Sequence, residues 1–227
     1  GGRHYPLRYF SPVAEVAFCG HATIATAVVL AEREGPGLFV FDTPAGGIQV
    51  ETEQDASGIR AGLRSAPTHS RPVPDDELAS ALSALGWSPE DLAPDYPPHI
   101  AFAGNEHLIL AVRTRECLSD LDYNFDHLLT LMTARGWTTI QLFWQENERT
   151  FHARDPFPVG GVVEDPATGA AAAALGGYFR ALGLVSATRQ FTIHQGADMG
   201  RPSELAVVVH SDDPRVTVSG YAVPIPN

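Results

Sequence analysis

Hydrophobic positions gather in short β-rich runs set between polar and turn residues, and this predicts strands at LRYF (7–10), LFVFDT (38–43), GIQVET (47–52) and GIRAGLRS (58–65). The second and third are joined by the turn PAG, and Gly, Pro and Asp punctuate the rest. Two runs carry the helical period instead. DDELASALSALG (75–86) opens on acids and closes on Gly, and FDHLLTLMTARG (125–136) closes on Arg and Gly. Strand-like HLILAVRT, TTIQLFW and RTFHARD lie in the second half.

Two stretches break this rhythm in the same way. VAFCGHATIATAVVLAERE (16–34) and GVVEDPATGAAAAALGGYFRALG (161–183) each run from an extended segment through a Gly-bearing turn into a helix of small apolar residues. A helix that is apolar on nearly every side has to be enclosed by other structure. The expected fold class is therefore α+β, with two similar lobes, each a curved mixed β-sheet wrapped around one central helix (20–33 and 168–182). DLAPDYPPH (91–99), rich in Pro and acid and without periodicity, is the expected linker. It divides the chain into lobes 1–98 and 99–214, with a C-terminal strand at 215–227 able to return to the first.

Charge narrows the chemistry. The 27 acids against 15 bases give a net charge of −12, and every base is Arg. Without lysine there is no Schiff-base amine, no internal pyridoxal phosphate linkage and no P-loop. An acidic chain without basic clusters also argues against nucleic acid, whose backbone is held by cations. The longest apolar run is too short and Ala-rich to span a bilayer, so no membrane partner is expected. Two cysteines make no disulfide framework, and a cytoplasmic setting is the expectation. The histidines are scattered without metal-ligand spacing, so no metal is expected either.

The remaining candidates sit at the two helix mouths. A helix start presents unpaired N–H groups and a partial positive charge, which suits an anion. Gly20 and Gly169 allow close backbone approach there, while His21 and Asp165 bring titratable groups to the same two places. Each has a plainer reading. His21 can be a cap or a packed residue, Asp165 a helix cap, and Cys19 a buried small hydrophobe.

RYFSPVAEVAFCGHATIATAVVL and GVVEDPATGAAAAAL resemble the two signatures of the PhzF-like isomerase family of phenazine biosynthesis, which shares the diaminopimelate epimerase-like fold. FDTPAGGIQV, GNEHLILAV and QGADMGRPSEL support the resemblance, in the family's order. It implies an active site in a cleft between two lobes and proton transfer without metal or organic cofactor, as in isomerisation of trans-2,3-dihydro-3-hydroxyanthranilate. It carries the site histidine to His21, the site aspartate to Asp165, and substrate-binding positions to Gly20, Thr168, Gly169 and Ala170. Cys19 matches the first of the two cysteines that related epimerases use as paired acid and base, and the second signature has no thiol to match the other.

Two departures matter. The family's principal base is a glutamate upstream of the first signature, a place this chain begins too late to include. Ala170 stands where the second signature has a serine. Glu15 belongs to the first signature and is read as structural. The expectation is an isomerase or epimerase moving a proton on a small carboxylate-bearing metabolite; the alternative is a non-catalytic small-acid binding protein that kept the cleft. Lacking the usual first strand and helix, the N-terminal lobe is expected to expose an edge and apolar surface that either a homodimer or a longer natural chain would cover.

Overall fold

The computed structural model describes residues 3–10, 15–16, 19–44 and 46–223. The chain divides into two compact units, Gly1–Arg64 with Thr217–Asn227, and Ser65–Val216. In the first, β1 (Arg3–Pro6), the two-residue strands β2 (Tyr9–Phe10) and β3 (Glu15–Val16), and helix α1 (Gly20–Glu34) lead into β4 (Gly37–Thr43), β5 (Gly46–Asp55) and β6 (Gly58–Arg64). The second opens with β7 (His69–Pro72), α2 (Asp75–Leu85), β8 (His99–Phe102), β9 (Glu106–Ala111), α3 (Arg115–Ser119) and α4 (Phe125–Arg135). It continues with β10 (Trp137–Asn147), β11 (Thr150–Arg154), α5 (Gly169–Ala181), β12 (Thr188–Gln195) and β13 (Ser203–His210), and β14 (Val216–Tyr221) ends the described strands.

The first unit is a mixed sheet in the order β1-β4-β5-β6-β14. β1 lies parallel to β4, the β4-β5-β6 meander is antiparallel, and β14 closes on β6 antiparallel, Val218 opposite Leu63. The two-residue repeat of strand geometry puts Phe39 and Phe41 of β4 on one face, where both are fully buried with Val50 and Ala61. α1 packs there through Ala27, Val28 and Ala31. Its opposite face is open, with Val29 at 43% exposure. The small hairpin β2-β3 is tied by Arg8, whose guanidinium donates to both oxygens of Glu15 at 2.7 Å.

The second unit is a mixed sheet in the order β13-β12-β11-β10-β9-β8-β7. Helices cover both faces of its centre. Ile100, Leu108, Leu110, Ile140 and Leu142 meet α2 and α4, while Phe143 and Phe151 meet Phe179 of α5. This two-sided cover is why HLILAV reads as an unbroken apolar run: His107 to Val112 are all buried. α5 is enclosed from Ala171 through Phe179, in contrast to the one-sided α1. Gly176 and Gly177 make this possible, since a Cβ on Gly177 would stand 2.4 Å from Thr68 Oγ1 and one on Gly176 would stand 2.7 Å from Val209 Cγ2.

The expected linker at 91–99 lies inside the second unit. Ala93 N–H bonds to Ala111 O at 2.9 Å, Tyr96 packs on Phe143 and Phe179, and Tyr178 donates to Pro97 O at 2.9 Å. Its prolines prevent regular structure, but its aromatic side chain and carbonyls belong to the core. The division falls at Arg64/Ser65 instead, between β6 and β7.

Candidate active site

On the first unit, Cys19, Gly20 and His21 form the entry to α1. Cys19 is the N-cap residue in extended conformation (φ −144°, ψ 108°), with no side-chain cap bond and no acid in the first turn. The positive end of the helix is therefore not offset by an acid of its own first turn. Thr23 explains why the chain turns here: its hydroxyl donates to Cys19 O at 2.7 Å and lies 2.6 Å from Tyr9 OH, with Thr23 and Tyr9 both buried. Burial pushes the Tyr9 hydroxyl up, so it stays a neutral donor. His21 is exposed, and its Nε2 lies 3.4 Å from Cys19 Sγ. The thiol and imidazole are thus neighbours able to share a proton. Glu15 is held by Arg8, which keeps its carboxyl below the usual range. That ion pair supports the structural reading of Glu15.

On the second unit, Asp165, Thr168, Gly169 and Ala170 form the entry to α5. Thr168 Oγ1 donates to Asp165 Oδ2 at 2.9 Å, which orients the carboxylate toward the helix start. α5 likewise has no acid in its first turn, and a Cβ on Gly169 would meet nothing within 4 Å, so the backbone there is open to approach. Gln195, buried at the end of β12, ties the turn together. Its Oε1 accepts from Thr168 N–H at 3.1 Å, and its Nε2 donates to Asp165 O at 2.7 Å and Thr168 Oγ1 at 2.9 Å. Gly196 follows with φ +77°, where a Cβ would lie 2.3 Å from Arg201 O and 2.9 Å from Pro166 O. Only glycine fits this close crossing.

A second support stands behind Asp165. Its N–H bonds to Asp155 O at 3.0 Å, and neighbouring Glu164 forms a buried two-pronged ion pair with Arg154, which also donates to Leu118 O and Ser119 O. The Asp155 side chain is fully buried. Thr139 Oγ1 donates to it at 3.0 Å, and the Gln141 carboxamide lies 3.1 and 3.2 Å from its two oxygens. Burial, with the charges of Asp165 and Glu164, raises the Asp155 carboxyl well above its ordinary value. Beyond Thr139 lies His107, whose Nδ1 is 2.9 Å from Thr139 Oγ1 and whose burial brings its pKa down to about 3. The group is a buried polar layer under the acidic turn, in which burial disfavours charge on both Asp155 and His107.

Sequence reading singled out His21, Asp165, Gly20, Thr168, Gly169 and Ala170; it missed Gln195 as the tie and Asp155 as the buried acid. Gln195 had a visible signal in the QGADMGRPSEL motif. Thr139 and Gln141 lie in a run that reads only as a strand, and the structure shows both of them buried. Among the described residues, no group of three or more His, Cys, Asp or Glu side chains is disposed to hold a metal ion, and no helix is long and apolar enough to cross a membrane.

Comparison with known proteins places this architecture. The chain is 30% identical over 229 residues to an uncharacterized isomerase, YddE, of Salmonella typhimurium, covering 96% of this chain and 76% of that protein. It is 32% identical over 199 residues to trans-2,3-dihydro-3-hydroxyanthranilate isomerase of Pseudomonas chlororaphis, covering 87% and 67%. A Bacillus anthracis phenazine biosynthesis protein of the PhzF family superposes with a TM-score of 0.84 at 21% identity, over 97% of this chain and 78% of that one. Fold and relatives define an α+β protein of the isomerase and epimerase class. A family model described as phenazine biosynthesis-like protein matches residues 2–227, and the chain belongs to that PhzF-like family.

Proposed function

We propose that this protein is an isomerase that moves a proton between two positions of a small carboxylate-bearing metabolite, in a cleft to which both helix starts contribute. In this reading the N–H groups at Gly20 and at Thr168, Gly169 and Ala170 hold the substrate carboxylate. His21, with Cys19 beside it, and Asp165 exchange the proton. One C–H bond breaks, its electron pair is delocalised toward the substrate's own unsaturation, and a proton is returned at another carbon, so nothing is oxidised and no organic cofactor is consumed. The observation that carries the reading is that each family signature delivers one titratable side chain, His21 or Asp165, to a helix start with no acid in its first turn. The P. chlororaphis relative supports the substrate class.

His21→Ala and Asp165→Asn are each expected to lower turnover by about 10²–10⁴-fold, the usual contribution of a positioned acid or base, with unchanged thermal midpoints. Normal turnover in both variants sinks the assigned roles. Ala170, in place of the family's serine, favours a second reading, a binding protein that grips the carboxylate without moving a proton. Deuterium from solvent at a ligand carbon separates the two.

A further inference from the structure

One row of side chains outside this site has no part in it. On the sheet face opposite α5, Trp144 of β10, His152 of β11, His194 of β12 and Glu204 of β13 are consecutive cross-strand partners. The helices that cover the centre of that face leave this end partly accessible: the His152 side chain is 23% exposed, His194 is half-buried and Glu204 is exposed. The two imidazoles have ring centroids 5.3 Å apart, and Trp144 lies 5.5 Å from His152.

We propose that His152 and His194 form a surface site for a divalent transition-metal ion. Two imidazoles in register on adjacent parallel strands, with centroids 5.3 Å apart, stand at a separation that two ligands of one ion require, and imidazole suits the later first-row divalent ions. His152 Nε2 lies 2.9 Å from Glu146 Oε2, which leaves Nδ1 as its metal-binding nitrogen. A carboxylate on the far nitrogen of a ligating histidine fixes its tautomer and raises its basicity, a recurrent arrangement around bound metals. Glu204, opposite His194, brings negative charge to the same end of the row. Two protein ligands leave the remaining positions to water, so the site takes a loosely held, exchangeable ion rather than a structural one.

Nickel(II) titrated into untagged protein, followed by calorimetry and tryptophan fluorescence, tests this. Nickel is expected to bind at this site and quench Trp144, with the quench lost in Trp144→Phe. His152→Ala and His194→Gln are each expected to weaken binding at least about 10-fold, and Glu146→Gln to weaken it by a smaller factor. Circular dichroism melts establish that both histidine variants are folded. Nickel affinity and quenching within about 2-fold of the parent in both histidine variants, a difference too small for a lost ligand, overturn the proposal.

Discussion

Asp155 is the residue whose state the fold controls most tightly. Its carboxyl is raised by burial, so the folded protein keeps a proton that the unfolded chain releases above about pH 3.9. From there up to the folded-state value, unfolding releases a proton, and stability falls as pH rises. Above the folded-state value the loss is complete and stability levels off. Asp155→Asn, uncharged at every pH, removes this slope. Urea unfolding across pH 4–8 is expected to show the parent losing stability relative to the variant as pH rises from 4; a parent–variant difference that does not change with pH contradicts the raised Asp155 carboxyl. Asp155→Ala instead strands Thr139 and Gln141 and is expected to cost about 1–3 kcal/mol. None of this was legible in the sequence, because the partners of Asp155 come from another strand and the period of TTIQLFW does not say which face is wet. The placing of His21 and Asp165 at the two helix starts was legible, since each stands in a motif whose neighbours fix its place.

At the level of elements, helix ends and strands read well where local chemistry decides them. α2 and α4 stop at Gly86 and Gly136, both in the left-handed region, as their sequences predict. The Pro-rich stretch at 91–99 was misread because composition reports local regularity, whereas Tyr96 earns its place through contacts with Phe143 and Phe179. Close crossings give the sharpest predictions. Gly196→Ala forces an unfavourable φ and a collision with backbone at Arg201 and Pro166, and is expected to destabilise by about 1–3 kcal/mol or more in chemical denaturation, with loss of activity as the Asp165 turn shifts. Gly177→Ala overpacks α5 against Thr68 and is expected to cost about 1–3 kcal/mol without touching the site. Equal activity loss per unit of lost stability in these two variants contradicts a positioning role for the Gly196 turn.

For the whole molecule, the two-lobe α+β plan was legible because two unusual helices are introduced by two related motifs. The boundary was not, because the chain passes from β6 to β7 through the four residues SAPT, a short loop like others in the chain, whereas 91–99 is longer and richer in Pro and acid. The lobes also differ more than their motifs suggest: α5 is enclosed, while α1 is covered on one face. The central claim, proton transfer on a small carboxylate, belongs to this scale, since it needs groups from both units. The measurement that tests it most directly uses the protein expressed from its complete gene, in deuterium oxide, with a panel of small carboxylic acids headed by trans-2,3-dihydro-3-hydroxyanthranilate. Binding is followed by calorimetry and carbon-bound deuterium by mass spectrometry. The account predicts deuterium at a carbon of the acid that binds, and its disappearance in Asp165→Asn. Saturable binding of an acid with no deuterium at any carbon contradicts it.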